Sequence, residues 1–194
     1  MRNNYRILIF ASMQLQIIHL KERKDRTQLL EQQLLEQHIT NYKIWKGIED
    51  HENPKRGIAK AHKQIIKWAS DQNLPSILIA EDDIKFTAKK AFGYFIKNEP
   101  NDFDLYLGGI THGKINTDNS VTDFAGTHFY KIYQKFYNTF LSLPEDKDID
   151  RALAHKGKFI VCNPFIVIQQ NGFSDNQRKY QNYELYIQDR QLFK

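Results

Sequence analysis

The sequence predicts a single α/β domain in which helices flank a mostly parallel central sheet. Along the 194 residues, apolar positions switch repeatedly between strand-like and helix-like spacing, which is typical of this fold class. Hydrophobic residues make up 41% of the chain and charged residues 26%, as in ordinary globular domains. The length suits one well-packed domain and is short for two.

The first half of the chain alternates strands with amphipathic helices. Residues 15–20 and 41–47 read as strands, and a helix over 21–39 lies between them. The apolar positions of that helix are Leu29, Leu30, Leu34 and Leu35. A polar loop over 48–57 precedes a second amphipathic helix over 58–72.

The second half continues the same alternation from a buried strand at 76–80. A helix over 87–98 is predicted to start at Thr87, a residue that caps helices well. The remaining elements are a strand at 103–109, a mobile polar loop at 110–125, a helix at 135–143 and strands around 158–170.

The domain is predicted to span residues 1–175, followed by a loosely packed, Tyr-rich tail over 176–194. Met13 can serve as a second start site, so residues 1–12 are interpreted as an N-terminal extension. No apolar stretch approaches the roughly 20 residues that a membrane-spanning helix needs.

Charge and cysteine content restrict the classes of function. The chain has 28 Lys and Arg against 23 Asp and Glu, a net charge of +5. That balance suits a phosphate-bearing ligand, an anionic membrane surface or nucleic acid, but the basic residues are dispersed and form no nucleic-acid-binding tail. The single cysteine, Cys162, excludes an internal disulfide and a thiolate zinc cluster, and it is compatible with a reducing cytoplasm.

The stretch SILIAEDDIKF drives an apolar strand into three consecutive carboxylates, Glu81, Asp82 and Asp83. Ligands bind at the carboxyl ends of strands in open α/β sheets. Alternation along an extended chain predicts that Glu81 and Asp83 share a face and that Asp82 points away. Neighbouring carboxylates repel unless a proton or a cation lies between them, and oxygen ligands favour Mg²⁺ or Mn²⁺. The competing interpretation is a strand that leads into a solvated loop or caps the next helix.

Six short motifs follow one another between about residues 17 and 175: IIHLKERKDR, RGIAKAHKQIIKWA, ILIAEDDIKF, DLYLGG, DKDIDRAL and NPFIVIQQNGFSD. In order and rough spacing they resemble the family 25 glycosyltransferases, which include lipopolysaccharide-type and collagen-type galactosyl- or glucosyltransferases. The resemblance implies a GT-A-like, Rossmann-like fold. The chain departs from the family pattern in its shorter acceptor side and in Ala61, which stands where a serine is usual.

The resemblance assigns the acidic triplet the role of the family's D-x-D motif, with Glu81 and Asp83 as metal ligands. The residues that it assigns to binding of the donor are Arg23, Arg26, Gly57, His62 and Asp82. Lys60 or Lys63 would add positive charge near the donor phosphates. The alternatives are solvated basic side chains and, for the histidine, an ordinary structural role.

On the acceptor side, the resemblance aligns Asp150 with the carboxylate that acts as general base. It assigns substrate contacts to His128, Gln170, Ser174 and Asp175. Favourable charge at a helix start explains Asp146, Asp148 and Asp150 as well. Polar turn chemistry is the alternative for the last three substrate residues.

The function implied is a metal-dependent, inverting transfer of a hexose from a nucleotide-diphosphate sugar to a hydroxyl of a glycan or lipopolysaccharide-type acceptor. Mn²⁺ or Mg²⁺ and a UDP-sugar are the expected cofactor and donor. The expected location is cytoplasmic, with peripheral attachment at the inner face of a membrane. The alternatives are a catalytically degenerate domain that binds glycans or partners, a receiver-type phosphotransfer domain and a nucleic-acid module, and the last two lack the expected motifs.

Overall fold

The computed structural model describes residues 13–194, so the extension predicted for residues 1–12 lies outside the described residues. The strands are β1 (Leu15–His19), β2 (Tyr42–Lys46), β3 (Ser76–Glu81), β4 (Ile84–Phe86), β5 (Leu105–Leu107), β6 (His112–Gly113), β7 (Ser120–Val121), β8 (Phe124–Ala125), β9 (Phe129–Tyr133), β10 (Phe159–Val161), β11 (Val167–Gln169), β12 (Gly172–Ser174) and β13 (Lys179–Gln181). The helices are α1 (Lys24–Glu36), α2 (Pro54–Asp71), α3 (Ala91–Lys97), α4 (Gln134–Leu141) and α5 (Ile149–Leu153), with a 3₁₀ turn at Tyr183–Tyr186. None of these helices is long and apolar enough to cross a bilayer.

Seven strands form the central sheet in the order β2, β1, β3, β9, β5, β10 and β7. β1 pairs in parallel with β2 and β3, and β5 pairs in parallel with β10. β9 lies antiparallel between β3 and β5, and β7 is antiparallel at the edge beside β10. Five of the seven strands therefore run in one direction, which confirms the predicted α/β domain with a mostly parallel sheet flanked by helices.

β3 is apolar and buried from Ile77 to Ala80 because a hydrophobic core lies on each face of the sheet. Ile79 belongs to a buried cluster that includes Ile65 of α2. Leu78 belongs to the cluster on the opposite face, together with Leu30 of α1 and Phe95 of α3. This double burial fixes β3 firmly and so determines where the carboxylates that follow it emerge.

Helix α1 buries a narrower face than the sequence predicts. Leu30 and Leu34 are buried, but Leu29 is 44% exposed and Leu35 is 76% exposed. Consecutive residues on a helix lie about 100° apart, so only one leucine of each adjacent pair faces the sheet.

Helix α3 begins at Ala91, so the predicted start at Thr87 is wrong. Lys90 has a φ of 66°, a left-handed conformation that interrupts a right-handed helix. The Thr87 hydroxyl donates to the carbonyl oxygens of Phe165 and Ile166, at 3.1 and 3.3 Å. Thr87 therefore connects two segments of the fold instead of capping a helix.

The segment 110–125, predicted to be a mobile loop, contains three short strands, β6, β7 and β8. β6 pairs with β8, and β7 extends the central sheet. Ile110, Val121 and Phe124 are buried. These three apolar side chains, which are widely spaced in a polar segment, pack the segment against the rest of the domain.

Residues 176–194, predicted to be a loose tail, are folded against the rest of the domain. β12 and β13 form a hairpin, and Leu192 forms a parallel bridge with Phe165. Ile187 is 8% exposed. The prediction of loose packing is therefore wrong, and this C-terminal segment contributes one wall of the cavity described below.

Gly109 lies where the backbone after β5 meets β11. A Cβ atom at Gly109 would come well inside contact distance of the Val167 carbonyl oxygen, which belongs to a paired strand. We expect Gly109→Ala to lower the free energy of unfolding by about 1–3 kcal/mol in urea denaturation. Gly172→Ala is the matched control, because a Cβ there meets nothing within 4 Å. Equal unfolding free energies for the two variants would contradict this packing.

Candidate active site

A cavity of about 440 Å³ opens at the carboxyl edge of β1 and β3, within the size range of small-molecule sites. Its walls come from the residues after β3, the start of α2, the region of α5 and the C-terminal segment. The charged groups that line it include Glu81, Asp82, Asp83, Asp150 and Arg26. The cavity is therefore rich in carboxylates at the position where α/β sheets bind ligands.

All three carboxylates of the triplet line this cavity. β3 ends at Glu81, and Asp82 and Asp83 form a turn before β4. Side chains alternate between faces only along an extended strand, so the alternation stops at Glu81. The prediction that Asp82 points away from Glu81 and Asp83 is therefore wrong.

Asp82 is held by two basic side chains. Its Oδ2 lies 2.8 Å from His19 Nδ1, and its Oδ1 accepts a hydrogen bond from Arg26 Nη1 at 2.5 Å. Burial opposes ionisation of this carboxyl, but the His19 hydrogen bond and the Arg26 charge keep the pKa of Asp82 below its usual range. Asp82 therefore fixes the position of Arg26 at the cavity.

Asp83 is buried and only partly satisfied. Its Oδ2 accepts a hydrogen bond from Gln169 Nε2 at 3.3 Å and lies 3.5 Å from Arg26 Nη1. Its Oδ1 is buried without a hydrogen-bond partner among the described residues. The pKa of Asp83 is raised to about 7, mainly by burial and in part by the charges of Glu81 and Asp82, which outweigh the opposing charge of Arg26. One buried carboxylate oxygen is thus left without a compensating group among the described residues.

Glu81 faces the other side of the cavity, toward α2. Its Oε1 lies 3.3 Å from His62 Nε2, and His62 Nδ1 lies 2.8 Å from the Tyr130 hydroxyl. Burial opposes ionisation, but the hydrogen bond with His62 keeps the pKa of Glu81 below its usual range. His62 is fully buried, so both the ligand-binding and the structural interpretation of this residue are compatible with its position at the cavity wall.

The two arginines predicted to bind the donor connect the region of α1 to β12 and to Asp175, which follows it. Arg23 Nη1 donates to Asp175 Oδ2 at 2.5 Å, and Arg26 Nη2 donates to the Phe173 carbonyl oxygen at 3.1 Å. Arg26 and Asp175 line the cavity, whereas Arg23 lies behind them and also pairs with Asp25 at 2.7 Å. Arg23 therefore positions its neighbours and does not reach the cavity.

The first turn of α2 contributes Gly57 and Lys55 to the cavity. A Cβ atom on Gly57 would overlap the Ile48 carbonyl oxygen, so only glycine allows this close approach. Lys55 Nζ donates to Asp148 Oδ2 at 2.6 Å across the cavity. Lys63 instead donates to the Leu143 carbonyl oxygen, and neither of the predicted lysines is among the residues that line the cavity.

Asp150 lies in the first turn of α5 and lines the cavity. Its Oδ2 accepts a hydrogen bond from the Gly126 amide at 2.9 Å, and its Oδ1 accepts one from the Arg151 amide at 2.7 Å. Burial raises the pKa of Asp150 although these amides oppose the shift. Asp148 differs from it, because hydrogen bonds from Lys55 and Asn176 outweigh the effect of burial and lower the pKa of Asp148.

Two of the predicted substrate residues do not line the cavity. His128 is 1% exposed, and burial lowers its pKa to about 4. Gln170 donates from Nε2 to the Ile84 carbonyl oxygen at 2.8 Å and from its amide to the Asp83 carbonyl oxygen at 2.7 Å. Both residues contact the backbone of the triplet, His128 at Glu81 and Gln170 at Asp83. Ser174, also predicted, does line the cavity.

Four residues of the site were not among the predicted site residues: His19, Lys55, Gln169 and Tyr183. Gln169 is the neighbour of the predicted Gln170, and only the register of β11 against β4 shows which of the two glutamines reaches the cavity. His19 meets Asp82, Tyr183 lies near Asp83 and Lys55 meets Asp148, all through contacts between distant parts of the chain, and such contacts leave no local pattern.

A divalent cation is compatible with these groups. Within residues 13–194, no three His, Cys, Asp or Glu side chains are arranged to hold an ion unaided. Mg²⁺ sites for phosphate substrates often use one or two carboxylates and complete the coordination with water and phosphate oxygens. The buried, unpartnered Oδ1 of Asp83, with Glu81 nearby, fits a cation of that kind.

No family model matches the chain, and no curated protein matches it in sequence. Among solved structures, it is similar to a glycosyltransferase involved in the glycosylation of the major capsid of PBCV-1, with a TM-score of 0.52 and 12% identity. That alignment covers 91% of this chain and 98% of the other. The two proteins therefore share a fold, and the chain is a GT-A-like α/β domain.

Two further structures align less closely. HddC from Yersinia pseudotuberculosis gives a TM-score of 0.46 at 14% identity, over 83% of this chain and 74% of the other. A Drosophila β-1,4-galactosyltransferase 7 variant, in complex with manganese, UDP-Gal and xylobiose, gives a TM-score of 0.48 at 11% identity. That alignment covers 94% of this chain and 75% of the other.

Proposed function

We propose that the protein is a metal-dependent glycosyltransferase that moves a hexose from a nucleotide-diphosphate sugar, in the first place a UDP-sugar, to a hydroxyl of a saccharide with inversion. The observation that carries this proposal is the buried, unpartnered Oδ1 of Asp83 among three carboxylates at one cavity. Such a group of acids needs more positive charge than Arg26 supplies. The GT-A-like fold and the motif order that resembles family 25 support the same function.

The chain's own residues recognise the donor through charge. Asp83 and Glu81 would hold Mn²⁺ or Mg²⁺, which stabilises negative charge on the departing diphosphate when it is bound. Arg26 and Lys55 line the cavity, and their donor groups suit the oxygens of the diphosphate. Asp82 keeps Arg26 in place for that role.

Asp150 is the proposed general base. It accepts the proton of the acceptor hydroxyl while that oxygen bonds to the anomeric carbon and the bond from carbon to the diphosphate oxygen breaks on the opposite face. The Gly126 and Arg151 amides fix the carboxylate, and Asp148 is already occupied by Lys55. Asp150 is therefore the better placed of the two carboxylates.

The pH dependence of transfer should reflect this base. Because burial raises the pKa of Asp150 above 3.8, the residue becomes protonated, and inactive as a base, at a higher pH than an exposed aspartate. We expect kcat/KM to fall about tenfold per pH unit below an apparent pKa that lies above 3.8. An acidic limb at or below 3.8 would contradict the assignment.

A degenerate domain that binds without turnover is the competing proposal, and one contact favours it. Arg26 lies 2.5 Å from Asp82 and 3.5 Å from Asp83, so the chain neutralises part of its own triplet. If this ion-pair group is structural, the protein will bind glycans or partners with no response to a metal.

The identity of the acceptor and the location belong to the same proposal. A glycan or lipopolysaccharide-type acceptor at the inner, cytoplasmic face of a membrane follows from the family 25 resemblance. The net charge of +5 supports peripheral attachment to anionic lipid. Nucleic acid is not expected as a partner.

The proposal is tested by thermal unfolding with UDP-, GDP- and CMP-sugars in the presence and absence of Mn²⁺. A ligand at 100 times its Kd stabilises a protein by about 2.7 kcal/mol, which corresponds to about 5–10 °C for a chain of this size. We expect one nucleotide class to produce such a shift only when Mn²⁺ is present. No shift with any of them would contradict the proposed function.

A further inference from the structure

Three aromatic rings close one side of the cavity. Tyr183, Tyr186 and His112 all line it. The ring centroids of Tyr183 and Tyr186 are 6.3 Å apart, and those of Tyr186 and His112 are 4.7 Å apart with the planes at 63°. The rings form a continuous series, which we call the aromatic wall.

The aromatic wall runs from the triplet to the mouth of the cavity. Tyr183 marks its inner end, because it is half-buried and lies close enough to Asp83 to interact with its charge. Tyr186, which is 40% exposed, and the exposed His112 mark its outer end. A ligand that follows the wall therefore extends outward from the proposed donor site.

Contacts on both sides of Tyr186 hold the wall in place. Asn171 Oδ1 accepts a hydrogen bond from the Tyr183 amide at 2.8 Å. Arg190 Nη2 donates to the Gly113 carbonyl oxygen at 2.7 Å. The ring of Tyr186 is thus positioned by its backbone but remains open to solvent, and such preorganisation favours binding.

Polar groups belong to the same cavity as the wall, among them Thr127, Asp150 and Arg151. A pyranose ring has an apolar face of C–H groups and an edge of hydroxyls. Aromatic rings pack against the former, and carboxylates accept hydrogen bonds from the latter. An acyl chain would leave the polar groups unpaired. The combination of an aromatic face and hydrogen-bonding groups therefore fits a sugar.

We propose that the aromatic wall is the acceptor subsite, in which the terminal sugar of a saccharide acceptor stacks on Tyr186 and turns a hydroxyl toward Asp150. The role of the bound sugar as an acceptor rests on the proposed function. The specificity for the acceptor then depends on the C-terminal segment, which supplies both tyrosines.

The test is saturation-transfer NMR with lactose, cellobiose and maltose on the full chain in the presence of UDP and Mn²⁺. We expect saturation of the ring C–H protons of at least one disaccharide. This saturation signal should fall about tenfold in Tyr186→Ala and be retained in Tyr186→Phe. Tyr180→Ala is the matched control, because Tyr180 is 70% exposed and does not line the cavity. If Tyr186→Ala fails to fold, His112→Ala tests the same wall from β6.

Absence of saturation for all three disaccharides with the native protein would overturn the subsite, as would an unchanged signal in Tyr186→Ala and His112→Ala. The melting temperature with nucleotide sugar and Mn²⁺ separates this failure from that of the proposed function. If nucleotide sugar and Mn²⁺ raise the melting temperature as expected but the variants bind disaccharide as the native protein does, only the proposed subsite is rejected. If disaccharide binding depends on Tyr186 but nucleotide sugar and Mn²⁺ do not change the melting temperature, the sugar-binding subsite is supported and the transferase proposal is rejected.

Discussion

Asp83→Asn is expected to abolish the Mn²⁺-dependent gain in melting temperature and to lower the rate of sugar transfer at least about 100-fold. Charge stabilisation by a bound metal is worth several kcal/mol in the transition state, and each 1.4 kcal/mol is a factor of ten in rate. The change preserves the shape of the side chain and leaves Gln169 a polar partner. It removes the negative charge that a cation requires.

The same change should stabilise the protein when no metal is bound. The pKa of Asp83 is raised from 3.8 to about 7, so its ionisation destabilises the folded state progressively as the pH rises from about 4 to about 7, and the full cost is present above pH 7. We expect a gain in unfolding free energy of about 1 kcal/mol at pH 8 that disappears near pH 4. Asp71→Asn, at an exposed carboxylate, is the control. A variant that keeps the Mn²⁺ response would contradict the role of Asp83.

Asp150→Asn is expected to lower transfer by about 10²–10⁴-fold, which is the usual contribution of a general base. Binding of the donor should not change, because Asp150 makes its hydrogen bonds with the Gly126 and Arg151 amides and none with the triplet. The measurement is the transfer rate together with the donor-induced shift in melting temperature.

Asp148→Asn is the matched control for this prediction. Asp148 lies two residues away and lines the same cavity, but Lys55 and Asn176 occupy its oxygens. We expect a smaller loss of transfer from this change, through the freed Lys55. If Asp148→Asn lost activity and Asp150→Asn did not, the base would be Asp148.

The part of the fold that could be predicted from the sequence is the part encoded by continuous apolar segments. β1 and β3 are buried, and their spacing with α1 and α2 determines the parallel sheet and the place of the triplet at its edge. Gly57, where α2 approaches the cavity, lies next to the predicted helix start at residue 58. The chain passes close to Ile48 at this glycine.

The part that could not be predicted depends on contacts between distant residues. Arg23 pairs with Asp175 across 152 positions, and Arg26 meets Asp82 across 56. No local pattern shows that residues 176–194 cover the cavity or that Tyr183 lies beside Asp83. The error over Asp82 has a different cause, since alternation was extended by two residues past the end of β3.

The most direct test is isothermal titration of Mn²⁺ into the native protein and into Asp83→Asn, each with UDP present. The carboxylates after Ala80 are proposed to hold a cation together with a diphosphate, which predicts uptake of one Mn²⁺ per chain by the native protein and none by the variant. Absence of uptake by the native protein, or equal uptake by both, would contradict the proposed metal site.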